Sequence, residues 1–247
     1  MSITLYNDDC FQIFKNIPNK SVDLILSDLP YGMTKMKWDK QLPFDKLWTE
    51  YERILSSNGN IVLFSSGLFT IDLINSNRKL FKYKLIWKKN VPTGMSSAKT
   101  RPMKYYEEIC IFNKGKAIYN PIMKPREGKG KACYNYEHYF GGSNHLNLEK
   151  KPKKYDPDWV QPSDILEFKT VPNRNGKLHP TQKPTELLKW LIYTYSNEDS
   201  TILDNCMGSG STGAACIELN RNFIGIEIDK DYFEIAKNRL QIEESNE

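Results

Sequence analysis

Histidine is scarce in this chain, three in 247 residues and none near another. Five cysteines, Cys10, Cys110, Cys133, Cys206 and Cys216, are odd in number and scattered without a CxxC pair. That usage suits a reducing compartment and argues against a disulfide framework or a zinc site, so no metal is expected. No run approaches the roughly 20 apolar residues of a membrane span, and Met1 to Phe11 lacks a signal-peptide pattern. The expectation is a cytoplasmic protein without a membrane partner.

Acidic residues are thin in the middle third. From Arg78 to Lys183 there are 23 Lys and Arg against 9 Asp and Glu, a local excess of +14 inside an overall charge of +5. A polyanion met by that third is the natural inference, because each phosphate neutralised releases counterions. The competing reading is a solvated lysine-rich surface.

The length suits one large α/β domain, or such a domain with an insertion. Val22 to Leu26 is a short apolar run bounded by turn residues, the pattern of a buried parallel strand. It ends on Ser27-Asp28-Leu29-Pro30-Tyr31, where Pro30 stiffens the turn and extends Leu29. A stiff turn can aim a carboxylate and an aromatic ring at one target, although an ordinary strand-ending turn fits the tetrapeptide too. Gly32 to Asp39 reads as a loop placed to fold over whatever Asp28 faces.

Helical spacing from Phe44 to Leu55, the stop Asn58-Gly59 and the strand Ile61 to Phe64 continue a parallel-sheet grammar. Tyr83 to Trp87 and Glu108 to Phe112 are further strand candidates. Residues 113 to 175 break the pattern, being rich in Lys, Tyr, Asn, Gly and Pro, and read as a small irregular subdomain. Regularity returns at Pro184, expected as the first residue of a helix whose core face is Leu187, Leu188, Leu191, Ile192 and Tyr195. The ending is β-α-β-α: strand Thr201 to Leu203, a helix, strand Phe223 to Ile228, then a helix capped by Asp229 with Ile228 and Phe233 as a staple.

Gly208, Gly210 and Gly213 match GxGxxG between a strand and a helix, and Glu227 ends the next strand. Glycines let backbone approach a ligand closely, and a carboxylate there can accept both hydroxyls of a ribose. No Lys follows the last glycine, so this is not a Walker loop. A dinucleotide fold would continue through more β-α units. A circularly permuted sheet would supply them from the amino terminus and bring Asp28 beside the glycines.

At this point the sequence resembles a family. Asp28-Leu29-Pro30-Tyr31 is similar to the (D/N/S)PP(Y/F) motif of DNA amino-methyltransferases, and Asp204 to Thr212 resembles their DPFxGSGT motif. The order, with His179-Pro180-Thr181-Gln182-Lys183-Pro184 between them, is that of the beta group. The resemblance covers residues 1 to 112 and 177 to 240. It implies a Rossmann-like methyltransferase fold, mostly parallel and twisted with helices on both faces, circularly permuted, with residues 1 to 112 and 177 to 247 catalytic and 113 to 176 recognising the target.

The implied cofactor is S-adenosyl-L-methionine and the implied partner double-stranded DNA. Relatives often pair, so a homodimer is a further implied partner, and a bacterial or phage origin is expected. Asp28, Leu29, Pro30 and Tyr31 would act on a flipped adenine. Asp9, Thr181, Lys183, Asp204, Met207, Gly208, Ser209, Gly210, Thr212 and Glu227 would hold the cofactor. Lys99, Arg101, Lys104, Arg126, Lys129 and Lys131 would meet phosphates, with Arg126, Asn144 and His145 as candidate base readers. Leu29 and Asn205-Cys206-Met207 depart from the family pattern. Cytosine N4 transfer, for which relatives often carry Ser at the Asp28 position, and an inactive DNA-binding protein on this fold are the alternatives.

Overall fold

The computed structural model describes residues 1–32, 39–95, 98–125, 159–171 and 182–241. In chain order the main unit runs β1 (Ile3–Tyr6), α1 (Cys10–Phe14), β2 (Val22–Ser27), α2 (Phe44–Ile54), β3 (Leu55–Ser65), α3 (Leu68–Ser76), β4 (Phe81–Thr93) and β5 (Lys104–Asn113). Two short strands follow, β6 (Lys124–Pro125) and β7 (Trp159–Val160). The chain closes with β8 (Ile165–Glu167), α4 (Thr185–Tyr195), β9 (Thr201–Asp204), α5 (Ser211–Glu218), β10 (Asn222–Ile226) and α6 (Lys230–Arg239).

One eight-stranded sheet holds the order β1-β10-β9-β2-β3-β5-β4-β8. Five neighbours from β1 to β3 pair in parallel; β5 runs antiparallel to both β3 and β4, and β8 is parallel to β4. Strand β1 therefore lies beside β10, and the two ends of the chain share one half of the sheet. Residues 164–171, placed in the irregular segment by their composition, instead add β8 to this sheet's edge.

Strand alternation divides the core into two layers. Ile61, Leu63, Cys110 and Phe112 face α1, α2 and α3, whereas Val62, Phe64, Ile109 and Ile111 face α4, α5 and α6. Because both faces are covered, these strands are apolar at nearly every position. In β2 the alternation slips: Val22 packs with the first layer, and Leu24 and Leu26 with the second. The pairing of β2 with β3 shifts register at the same place, between Val22 and Leu24.

Residues 121–163 form a second compact unit, in which β6 pairs antiparallel with β7. The candidate readers Arg126, Asn144 and His145, together with Lys129 and Lys131, lie outside the described residues, as do Thr181 and residues 33–38 of the expected loop. Pro184 is extended (φ −62, ψ 131) and precedes the helix as its N-cap, one place earlier than its expected role. Asp229 caps α6 as expected, accepting from Asp231 N and Tyr232 N. Ile228, the expected staple partner of Phe233, is 65% exposed.

Candidate active site

Strands β2 and β9 are parallel neighbours, Leu24 opposite Ile202 and Ile25 opposite Leu203. Parallel neighbours end at the same sheet edge, so the turn after β2 and the glycine loop after β9 meet there. The meeting is a hydrogen bond: Ser27 Oγ donates to Asp204 Oδ1 at 2.9 Å, between residues 177 positions apart. A cleft of about 770 Å³ opens over this edge, lined by Asp9, Asp28 to Tyr31, Lys183, Asp204 to Ser209, Thr212 and Glu227 among others.

Asp204 organises the glycine side. Besides Ser27, its carboxylate accepts from Thr212 Oγ1 at 2.6 Å and from Cys206 N at 3.2 Å. Burial pushes its pKa from 3.8 up to about 6, against the pull of those two hydroxyls. The loop then turns tightly: Gly208 and Gly210 have φ of +51° and +73°, a region that favours residues without a Cβ. Gly210 N donates to Met207 O at 2.9 Å, and Gly210 precedes α5 as its N-cap. A Cβ on Gly213 would sit 2.7 Å from both the Leu240 and Phe223 side chains, so this third glycine serves close helix packing.

Glu227 follows β10 and is tied to the loop, accepting from Gly208 N and Asp229 N, each at 2.9 Å. With a further backbone contact from Ile228, those bonds still leave part of the carboxylate's four lone-pair sites for a ligand. Asp9 caps α1 by accepting from Phe11 N at 2.7 Å, and it also lines the cleft. Ser209, between the two glycines, is buried, and Met207 packs against the Gly225 backbone.

On the other side, Asp28 sits just beyond β2 with 22% of its side chain exposed. Tyr31 Oη donates to Asp28 Oδ1 at 2.9 Å, and the Tyr31 ring stacks on Phe69 with centroids 4.5 Å apart. Asp28 Oδ2 takes a short ion pair from Lys183 Nζ. Burial raises the Asp28 pKa above the ordinary aspartate value, and Lys183 is the largest force opposing it. Burial and the nearby Asp28 charge likewise hold the Tyr31 phenol neutral far above its usual value.

Among residues expected to meet phosphates, Lys99 and Arg101 are exposed in the turn between β4 and β5. Lys104 donates to Ser66 Oγ at 2.7 Å and lies 4.8 Å from the Tyr106 ring centroid. Sequence reasoning missed four participants. Ser27 bridges the two halves, Tyr51 donates to Asn205 Oδ1 at 2.5 Å behind the loop, and Glu107 and Lys89 extend the Lys183 ion pair into the sheet. Nothing in one sequence marks these as neighbours, because each lies on a different element from its partner.

A covered sheet with a sharp glycine turn, an acidic residue after the next strand and a carboxylate-bearing turn at the adjacent strand end define a class I methyltransferase fold. The sequence profile of the N6/N4 DNA methylases matches residues 22–238. Type II methyltransferase M.HinfI of Haemophilus influenzae is 31% identical over 96% of this chain and 68% of its own. DNA adenine methyltransferase YhdJ of Escherichia coli (strain K12) is 30% identical over 97% and 83%. The crystal structure of the M1.HpyAVI-SAM complex matches with a TM-score of 0.67 at 28% identity, covering 97% of this chain and 100% of that one. The chain belongs to the DNA methylase family. No helix among the described residues is long and apolar enough to cross a membrane.

Proposed function

We propose that this protein transfers a methyl group from S-adenosylmethionine to the exocyclic N6 of an adenine turned out of duplex DNA. The observation that carries the reading is the joining of Asp28 and the glycine loop at one sheet edge, through the Ser27 to Asp204 hydrogen bond. The cleft suits the cofactor chemically. Glu227 offers acceptors for ribose hydroxyls, Gly208 and Gly210 let backbone come close, and Asp9 lines the wall where an adenine amine could donate. When bound, S-adenosylmethionine supplies a methyl group on a sulfonium that leaves readily.

The residues of this chain then do the positioning. The lone pair of an aromatic amine is delocalised into its ring. Accepting its two hydrogens on the Asp28 carboxylate and the Leu29 carbonyl would let the nitrogen pyramidalise and point that lone pair outward. Orientation of this kind can lower a barrier by several kcal/mol, so Asp28 need not be a strong base. Pro30 holds the turn, and the ring of Tyr31 could stack on the extruded base, worth roughly 1–3 kcal/mol against the few kcal/mol that flipping costs.

Adenine is favoured because this position carries Asp28 rather than Ser, and because a relative sharing 30% identity is an adenine methyltransferase. Basic residues including Lys99, Arg101 and Lys104 are read as phosphate contacts, with Arg126, Lys129 and Lys131 alongside them, and residues 113–176 as the segment that selects the sequence. The motif order fits a circularly permuted sheet. Action in the bacterial cytoplasm and in restriction-modification belongs to the same proposal, supported by bacterial relatives named type II methyltransferases, and a homodimer is proposed by analogy with the family. The test is to map modified bases in DNA from cells expressing the chain. N6-methyladenine at a defined sequence is expected; N4-methylcytosine, or no modification, overturns the reading.

A further inference from the structure

Lys183 precedes Pro184, the N-cap of α4, and its side chain is only 10% exposed. Its ammonium lies 4.9 Å from the Phe64 ring centroid and bridges two carboxylates: the short pair with Asp28 and a 3.6 Å contact with Glu107 Oε2. Glu107, on β5, accepts in turn from Lys89 Nζ of β4 at 3.0 Å, and Lys89 also donates to Thr93 Oγ1 at 3.2 Å. Signs alternate along Asp28, Lys183, Glu107 and Lys89, so the two buried ammonium groups and the two partly buried carboxylates, from four parts of the chain, balance one another.

We infer that Lys183 serves the target-base carboxylate Asp28, as a positioning residue anchored by Glu107 and Lys89, rather than the methyl donor. The inference rests on the role proposed for Asp28. A shielded carboxylate without a cation takes up a proton, and a protonated carboxyl no longer offers both oxygens to an amine. Among the described residues, the groups that act most strongly on Asp28 are Lys183, Glu107 and Tyr31, with Asp204 and Cys206 also coupled to it. Of these only Lys183 is a cation. Tyr31 donates to one oxygen of Asp28 and Lys183 to the other, which fixes the carboxylate plane while leaving each oxygen an open lone pair. Glu107, itself held by Lys89, gives the ammonium a second anchor, so it keeps its place when Asp28 accepts an incoming amine.

The test compares Lys183→Met, Lys183→Gln and Lys183→Arg in the full chain. Binding of S-adenosylmethionine is measured by calorimetry, and kcat and KM for duplex DNA are followed from pH 6 to pH 9. Removing the cation moves the protonation of Asp28 to higher pH, so each unit moved lowers the ionised fraction roughly tenfold on the acid limb. For Lys183→Met the donor Kd should stay within about twofold of wild type, while kcat falls roughly tenfold or more at neutral pH and recovers as pH rises. Lys183→Gln should behave alike if the methionine variant does not fold, and Lys183→Arg should retain most activity. A donor Kd weakened with kcat unchanged, or a loss of kcat independent of pH, overturns the inference. Asp28→Ala is run in parallel: near-normal transfer in that variant overturns the underlying reading instead.

Discussion

At the scale of single residues, Asp28 and Asp204 are two aspartates at adjacent strand ends with different surroundings. Asp28 keeps an opening to the cleft and is balanced by Lys183. Asp204 is 4% exposed and satisfied by hydroxyls, with no cation among its bonded partners. Asp28→Ala should therefore abolish methyl incorporation into DNA while S-adenosylmethionine binding, measured by calorimetry, stays largely intact. Transfer near the wild-type rate would reject the assignment. Asp204 bears on stability through its proton. The folded carboxyl keeps that proton up to about pH 6, whereas the unfolded one loses it near 3.8. Its contribution to stability is thus complete below 3.8 and is lost as pH rises through about 6, worth as much as about 3 kcal/mol. Asp204→Asn cannot titrate, and Thr212 can rotate its hydroxyl to suit the amide. Urea unfolding at pH 4 and pH 7 should show a smaller pH-dependent loss in the variant; an identical loss in both proteins would remove this account.

At the scale of elements, the glycine turn is the most exacting piece of backbone. Gly210 combines a φ of +73° with a would-be Cβ 3.1 Å from the Cβ of Ala236 on α6. Gly210→Ala should cost about 1–2 kcal/mol from the left-handed backbone alone, with crowding against α6 added. Denaturant unfolding checks this, and an unchanged midpoint would count against it. Helices α2 and α4 were legible from spacing because their buried residues recur at i, i+3 and i+4. The length of β4 was not: three exposed residues in a row, Lys82, Tyr83 and Lys84, break its apolar pattern, and pairing with β5 carries it from Phe81 to Thr93. Strand β8 was hidden for a related reason. Three residues carry no period, and only the open edge of β4 recruits them.

At the scale of the whole molecule, the unit of residues 121–163 is separate in the chain from the sheet that carries the cleft. Exchanging that unit for the corresponding one of a related enzyme should change which DNA sequences are methylated and leave donor binding unaltered. Sequencing of methylated DNA decides it, and an unchanged set of sites would show that the sequence is read elsewhere.

The sequence by itself determined the parallel-strand grammar, the glycine turn with Glu227 beyond it, and the Asp28 to Tyr31 turn. These are local matters, set by apolar runs, by glycine's freedom at positive φ and by proline's fixed angle. Only the tertiary structure decided that β9 lies against β2, so that Ser27 reaches Asp204, and that Lys183 turns to Asp28 and Glu107. Those contacts join residues more than seventy positions apart, and their energies come from burial and pairing that exist only once the sheet is assembled.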